Sequence, residues 1–238
     1  MVPALVTARR LESAQRSAVV DVLADAFEHD PMQAWLFPNV ERRMQRLRRF
    51  YERDLVVRLE GSPTTCLLGT AAVACWQSPG GAGTLPLRST LQLAPCFWSV
   101  ATHHPLAGPR LLGAVLRQQP EEPHWYLSHL AVRPGDQRRG FGRTLLQWGI
   151  ERADEEGVGT YLETANPDNL PFYRSAGYSQ VGLVRVGDAP NVWTLWRGPA
   201  AASAPAPIPE RRSAPADQGA GHAGPPVPGG DRSDRDSG

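Results

Sequence analysis

The residues with the clearest chemical potential lie between Gln137 and Arg143, where a glycine-containing turn follows an apolar strand and precedes an amphipathic helix. Gly140 and Gly142 allow the backbone to approach a ligand closely. The unpaired N–H groups and the positive dipole end of the following helix attract an anion such as a pyrophosphate. Three arginines add cationic donors: Arg138, Arg139 and Arg143. The pattern predicts a pyrophosphate-binding turn, although a tight strand-to-helix turn without a ligand would use the same glycines.

Several other kinds of site are excluded. The sixth residue of Gly140-Phe-Gly-Arg-Thr-Leu145 is leucine, which does not fit the dinucleotide-binding fingerprint. All 25 cationic residues are arginine, so a Walker loop and lysine Schiff-base chemistry are both excluded. Cys66, Cys75 and Cys96 have no CxxC spacing and apolar neighbours. They are predicted to be buried thiols, and no metal site is predicted.

Length and charge restrict the class of protein further. The 238 residues fit one domain with an appendage, and a formal net charge of +1 argues against a protein built around nucleic acid. The most apolar stretch, residues 66–76, is far shorter than the ~20 residues needed to span a bilayer. Because no signal peptide is visible either, we expect a cytoplasmic protein that does not enter a membrane.

A change in composition predicts a domain boundary. Residues 199–238 are rich in Pro, Ala and Gly and contain no aromatic side chain. Such a segment buries too little apolar surface to offset the entropy of ordering its backbone. We therefore expect one domain over residues 1–198 and a disordered tail over 199–238, which either has no function of its own or serves as a Pro-rich docking segment.

Helical and extended patterns alternate along the predicted domain. Strands are predicted at 4–7, 64–68, 71–76, 125–132, 160–164, near 178–186 and at 191–197. Helices are predicted from an N-cap at Ser13 to a stop at Asp30-Pro31, then at 39–59, interruptedly within 91–118, at 140–156 and at 170–176. This alternation predicts an α/β or α+β sheet with helices on its faces.

The predicted helix 39–59 carries many arginines and could bind an anionic partner such as a nucleic acid. However, Glu41, Glu52 and Asp54 are interspersed among the arginines. Mixed charges of this kind favour an ordinary solvated helix face.

Two motifs resemble those of a known family. The sequence Gln137-x-x-Gly-x-Gly142 after a strand ending in Leu-Ala-Val resembles the acetyl-CoA-binding motif of the GCN5-related N-acetyltransferases, the GNAT family. The sequence from Asn166 to Tyr178, NPDNLPFYRSAGY, resembles a second motif of that family, and the order of the two motifs agrees. The likeness is closer still to puromycin N-acetyltransferase-like members, through residues 27–31, 72–79 and 161–178, and it covers residues 1 to about 197.

The resemblance implies a single GNAT acyl-CoA N-acyltransferase domain of the α/β (α+β) class. We expect a mixed, mostly antiparallel sheet of six to seven strands flanked by helices, with a wedge where strands 125–132 and 160–164 separate. Acetyl-CoA is the expected cosubstrate, bound in that wedge. The implied partner is a small-molecule amine, with no nucleic acid and no membrane, and the expected assembly is a monomer or homodimer.

The implied reaction is acetyl transfer to a primary amine of a small molecule, such as an aminonucleoside-like or other antibiotic, by direct attack in a ternary complex. Two alternatives stay open: a non-catalytic acyl-CoA-binding regulatory module, and an acetyltransferase acting on protein N-terminal or lysine amines. The residues that the resemblance assigns to the cofactor are Leu130, Ala131 and Val132 for the pantetheine arm and thioester, Arg138, Arg139, Gly140, Phe141, Gly142 and Arg143 for the pyrophosphate, and Asn166 for the pantetheine or cysteamine part.

Tyr173 is the implied general acid, because expulsion of a thiolate needs a proton source and a phenol of pKa ~10 matches that leaving group. Packing of a short helix is its structural alternative, and Asn169 is a candidate cap for that helix. Glu163 is the first candidate for the base, with His129 or bulk water as alternatives.

The acceptor site is the least determined part. Strand alternation would place Tyr126 and Ser128 on one face and Leu127 and His129 on the other, unless a bulge of the kind usual in this family intervenes. Candidate acceptor residues are Trp35, Trp76, Tyr126 and Ser128.

Overall fold

The computed structural model describes residues 15–61, 64–68, 71–79 and 103–200, which all belong to one unit, Met1–Ala202. The predicted strand at 4–7, the cap at Ser13, the residues 91–102, Cys96 among them, and the segment 201–238 lie outside the described residues. Cys75, predicted to be buried, is fully buried.

A six-stranded sheet forms the centre of the described part. Its strands are β1 (Thr64–Leu68), β2 (Ala72–Gln77), β3 (His124–Val132), β4 (Gly159–Thr164), β5 (Ser179–Val184) and β6 (Val192–Arg197). Their order is β1-β2-β3-β4-β6-β5, with β3 and β4 parallel and the other neighbours antiparallel. The predicted mixed, mostly antiparallel sheet is confirmed.

Six helices accompany the strands in the described ranges. They are α1 (Arg16–Phe27), α2 (Pro31–Leu36), α3 (Val40–Gly61), α4 (Ala107–Leu116), α5 (Phe141–Glu155) and α6 (Leu170–Ser175). One difference from the prediction concerns Asp30 and Pro31, which begin a helix as well as ending one. The Asp30 carboxylate accepts hydrogen bonds from the amides of Met32 and Gln33, and Pro31 occupies the first helical position, where its missing N–H costs nothing.

The two faces of the sheet bury separate apolar clusters. On one face, β2, β3 and β4 contribute Trp76, Leu127 and Leu162 to a cluster completed by α5 and α6. On the other face, Val73 and Cys75 pack with α1 and α3. Because successive side chains of a strand point to opposite faces, membership in these clusters shows which way each strand residue points.

Asp54 is an exception to the prediction that the charged residues of this helix, α3, face solvent. It is 3% exposed, next to the fully buried Leu55 and one turn after the fully buried Tyr51. Its position on the apolar stripe is the sequence signal for burial, because residues three apart share one side of a helix.

Strands β3 and β4 separate as expected. Their pairing ends at Leu127 and Leu162, whereas β3 continues beside β2 to Val132 and β4 continues beside β6 to Thr164. From there on, one backbone edge of β3 has no pairing with β4. The predicted wedge is thus present at this point of the sheet.

A bulge lies at the mouth of this wedge. Cys75 pairs with His129 and Trp76 with Leu127, so Ser128 is an extra residue in β3. The bulge reverses the alternation, and His129 contacts α1 and α3 on the face opposite Leu127. Simple alternation, which placed Leu127 and His129 on one face, is therefore wrong beyond Ser128.

Candidate active site

The glycine-containing turn leads into a helix whose N-terminus has no side-chain cap. Gly140 is the N-cap residue of α5 and has φ 88°, a left-handed conformation that favours glycine. Because glycine has no side chain, the first backbone amides of α5 do not receive the usual hydrogen bond to a capping side-chain oxygen. Arg138 also has a positive φ, 62°, which a non-glycine residue adopts at an energetic cost. The turn can therefore present backbone donors to an anion.

Two of the predicted cationic residues form contacts with other side chains and backbone groups of the protein. Arg139 forms an ion pair with Asp136, and its guanidinium lies 5.5 Å from the ring centroid of Phe141. Arg143 donates to the hydroxyl and the carbonyl oxygen of Ser175, at 3.5 and 3.4 Å. Because these contacts brace the turn, its backbone amides are the first candidates for binding an anion.

Gly142 lies where the two motifs meet. A Cβ added to it would be 3.4 Å from Val132 Cγ2, at the end of β3, and 3.8 Å from Phe172 Cζ, in α6. A methyl group fits at these distances, whereas a larger side chain would compete for the space between the helix start and the wedge.

Asn166 serves as a cap. Its Oδ1 accepts a hydrogen bond from the amide of Asp168 at 3.0 Å, at the start of the short 3-10 helix Pro167–Asn169. Asn169, the candidate cap of α6, instead donates from Nδ2 to Thr164 Oγ1 at 3.4 Å and makes no capping hydrogen bond. Of these two asparagines, Asn166 makes the capping hydrogen bond, to the 3-10 helix, and it lies two residues beyond Thr164, where β4 ends.

Tyr173 is the buried aromatic residue of α6. It is 7% exposed and packs edge-on against Phe172 and Tyr178, with ring centroids 5.2 and 5.9 Å away. Burial first, and then the negative charge of Asp30, raise the pKa of the Tyr173 phenol above its ordinary value. The hydroxyl therefore carries its proton at neutral pH.

Sequence reasoning overlooked the influence of Asp30 on this tyrosine. The signal available was the Asp-Pro pair, which is typical of a helix N-cap followed by proline at the first helical position. The capping hydrogen bonds fix the Asp30 carboxylate at the start of α2, and from there its negative charge raises the pKa of Tyr173.

Glu163 lies on β4, one residue beyond the last pairing with β3. It alternates with Leu162, which belongs to the cluster under α5, so Glu163 and Tyr161 point to the opposite face of the sheet. Tyr126 points to that face as well, and its ring centroid is 6.1 Å from that of Tyr161. Burial, followed by the charge of Glu163, raises the pKa of Tyr161. Glu163, Tyr161 and Tyr126 thus form one group beside the wedge.

The other candidate acceptor residues have different surroundings. Trp76 is fully buried under α5, where its indole N–H donates to the Leu145 carbonyl at 3.3 Å, so it cannot line an open pocket. Trp35, on α2, stacks on His104 at 3.8 Å and donates to Asp188 at 3.3 Å. Ser128 is the bulge residue, and its hydroxyl donates to the Cys75 carbonyl at 3.1 Å. Trp76 is therefore withdrawn as an acceptor contact.

The described residues contain neither a metal-binding cluster nor a membrane-spanning helix. Among these residues, no group of three or more His, Cys, Asp or Glu side chains could hold a metal ion. Within the same part of the chain, none of the helices has the length and apolar character needed to cross a membrane.

Comparison with known proteins assigns the fold to a family. Residues 23–178 match the acetyltransferase (GNAT) family. A histone acetyltransferase HPA2 and related acetyltransferase from Corynebacterium glutamicum has a similar structure, with a TM-score of 0.60, 22% identity and coverage of 83% of this chain and 98% of that one. The C-terminal condensation domain of Ebony, in complex with beta-alanyl-dopamine, matches with a TM-score of 0.54 and 14% identity over 79% of this chain and 96% of that one. From the family match and the wedge between β3 and β4, we conclude that the chain belongs to the GNAT acetyltransferase family.

Proposed function

We propose that this protein transfers the acetyl group of acetyl-CoA to a primary amine of a small molecule, by direct attack of the amine in a ternary complex. The observation that carries the proposal is the juxtaposition of the edge of β3 that no longer pairs with β4 and the start of α5, which has no side-chain cap; both lie beside the two family motifs. An aminonucleoside-like or other antibiotic is the acceptor class that the puromycin N-acetyltransferase-like segments favour.

The residues around the wedge fit an acyl-CoA. The amides from Arg138 to Arg143 would hold the pyrophosphate, since the start of α5 has no capping side chain. The backbone of β3 from Leu130 to Val132 would pair with the pantetheine arm and polarise the thioester carbonyl. Asn166, held by its capping hydrogen bond to Asp168, would contact the pantetheine or cysteamine part. When bound, acetyl-CoA supplies an activated acyl group with a thiolate leaving group.

Tyr173 would protonate that leaving group. Its phenol, like any with an ordinary pKa of ~10, is protonated at neutral pH, and its buried ring is fixed by Phe172 and Tyr178. A fixed proton donor contributes typically ~10²–10⁴-fold to the rate.

Glu163 would remove the proton of the attacking amine, directly or through water. It lies beside the wedge on the face that it shares with Tyr126 and Tyr161. The partly exposed Tyr126 would line the acceptor site, whereas Tyr161 is fully buried behind it. Trp35 would contribute from α2. His129 is less suited to this role because its ring lies between α1 and α3 and faces Asp54.

The proposal is tested by mixing the protein with acetyl-CoA and a panel of primary amines and measuring the release of CoA. The panel should contain aminonucleosides, other antibiotic amines, polyamines and peptides with free N-termini or lysines. Release that depends on a small-molecule amine, with the acetylated product identified by mass spectrometry, is the expected result. Acetylation of peptides alone would move the acceptor class to protein amines, and acetyl-CoA binding without turnover of any amine would favour a binding module.

A further inference from the structure

Three polar side chains form a continuous chain of contacts from helix α3 to the bulge in β3. Asp54 Oδ2 lies 3.6 Å from His129 Nε2, and His129 Nδ1 lies 3.3 Å from Ser128 Oγ. The Ser128 hydroxyl donates to the Cys75 carbonyl at 3.1 Å. The path thus runs through Ser128, the extra residue of the bulge, to the neighbouring strand β2.

The surroundings hold this chain in place. The His129 ring meets Phe27 and Tyr51 at nearly right angles, with centroids 6.2 and 5.5 Å away. The Asp54 side chain is 4% exposed and the His129 side chain 11%. A carboxylate in so apolar a layer is costly unless a donor faces it, so the pair constrains both residues.

The hydrogen-bond directions are consistent along the chain. Because the Ser128 hydroxyl hydrogen is directed at Cys75, Ser128 Oγ accepts from His129 Nδ1–H. The other ring nitrogen, Nε2, faces the Asp54 carboxylate at 3.6 Å.

The position of these three side chains in the sheet connects them to the backbone assigned to catalysis. The bulge lies where β3 leaves β4, directly before Leu130 to Val132, the backbone assigned to the thioester. A bulge interrupts the regular ladder, and its geometry is set by whatever holds the extra residue. Here the Ser128 hydroxyl provides a contact to β2, and Asp54 holds the histidine that supports it.

We propose that Asp54, His129 and Ser128 are positioning residues, which fix the β3 bulge so that the backbone after it is aimed at the thioester carbonyl. This inference rests on the proposed acetyl transfer and extends it to residues that act through the backbone of β3. It assigns His129 a structural task in catalysis in place of general-base work.

The test measures polarisation of the carbonyl directly. Isotope-edited infrared spectroscopy of labelled acetyl-CoA bound to the full chain should show a carbonyl stretch below that of free acetyl-CoA. In Asp54→Asn and Ser128→Ala we expect the stretch to return towards the free value and kcat to fall by up to about a hundredfold, the cost of a small misplacement. The KM for acetyl-CoA should change little, because the pyrophosphate turn is untouched.

A matched control separates positioning from lost stability. Asp154→Asn breaks the ion pair between Asp154 and Arg197, which joins α5 to β6 at 2.8 and 2.9 Å, away from the bulge. It should lower Tm without changing the carbonyl stretch or kcat. If Asp54→Asn does not fold, Ser128→Ala decides alone.

The outcomes distinguish this inference from the function itself. Folded Asp54→Asn and Ser128→Ala variants with the carbonyl stretch and kcat of the wild type would overturn the inference while leaving acetyl transfer intact. A wild-type protein whose bound acetyl-CoA shows the free carbonyl frequency would overturn it too. A wild-type protein that binds no acetyl-CoA would contradict the proposed function.

Discussion

The indole of Trp76 lies against Gly149 with no room for a side chain there. A Cβ added to Gly149 would be 2.1 Å from Trp76 Cε2 and 2.4 Å from Cζ2, far inside any normal contact. Both residues are buried, Trp76 completely, and the indole N–H is held by the Leu145 carbonyl one turn earlier in α5. The absent side chain of Gly149 is therefore what lets α5 rest on β2.

Gly149→Ala should destabilise the protein. Alanine in a helix is favoured over glycine by about 1 kcal/mol, but overpacking a filled core costs typically 1–3 kcal/mol and sometimes more. Because the indole is fully buried and its N–H is bound to the Leu145 carbonyl, we expect the packing cost to exceed the gain. The measurement is the free energy of unfolding in urea.

Gly113→Ala is the matched control for this change. Gly113 is also helical, in α4, and a Cβ there would meet only the end of the Arg117 side chain at 3.6 Å. It should stabilise the protein by up to about 1 kcal/mol. Equal stabilisation by both substitutions would contradict the packing of Trp76 against α5.

Trp76 shows what the sequence can and cannot predict about the fold. Strand and helix positions follow from periodicity and turn residues, and most bounds agree within a few residues. The stretch Ala72–Gln77 is nearly all apolar and does not show which face each residue takes or that helices cover both. From sequence, Trp76 is a candidate for a pocket although aromatic residues more often belong to the core, and the position of α5 decides for the core.

The site shows a similar division. The glycine turn, Asn166 and Tyr173 are recognisable because their motifs are contiguous in sequence. The bulge at Ser128 leaves no local signature, and it changes the face of His129. The partnership of His129 with Asp54 joins residues 75 positions apart (129 − 54), so it depends on how α3 packs on the sheet.

Gly142→Val should abolish acetyl-CoA binding while leaving the fold largely intact. A first methyl would be in ordinary contact with Val132 and Phe172, but the additional methyl groups of valine would occupy the space at the start of α5. Calorimetric titration with acetyl-CoA measures the effect, and Gly113→Val controls for the cost of a β-branched residue in a helix. Unchanged acetyl-CoA affinity in a folded Gly142→Val protein would remove the turn from the cofactor site.

The boundary of the domain can be tested by truncation. Residues 199–238 were expected to form a tail, yet the amide of Ala200 donates to Asp154 Oδ1 at 2.7 Å. A chain ending at Ala200 should keep the Tm and acetyl-CoA affinity of the full chain. Ending it at Gly198 should cost on the order of 1 kcal/mol, the usual net worth of a hydrogen bond. A large loss on truncation at Ala200 would show that the remaining segment contributes to the fold.

Three tyrosines should make the protein sensitive to alkali. Burial is the main cause that raises the pKa of Tyr161, Tyr173 and Tyr178. Groups with a raised folded pKa contribute stability that is fully present below their ordinary pKa of ~10 and is lost as the pH rises through the folded value. We expect the free energy of unfolding to fall above pH ~10, with their tyrosinate absorbance appearing only as the chain unfolds. Ionisation of all three in the folded protein near pH ~10 would contradict their burial.

Tyr173→Phe tests the central claim, that the wedge catalyses acetyl transfer with Tyr173 as the proton donor. The substitution removes the hydroxyl and keeps the ring contacts with Phe172 and Tyr178. If the tyrosine serves only packing, phenylalanine should be tolerated, with activity within a few-fold of the wild type. Phe172→Tyr, which adds a hydroxyl to the neighbouring half-buried ring, shows how far the site tolerates such a change without moving the donor.

The most direct measurement is single-turnover acetyl transfer at saturating acetyl-CoA, with an amine that the wild type acetylates. For Tyr173→Phe we expect unchanged acetyl-CoA affinity and a rate lower by about 10²–10⁴-fold, the usual contribution of positioned proton transfer. A wild-type rate in the folded variant would contradict the assignment of Tyr173 as the acid.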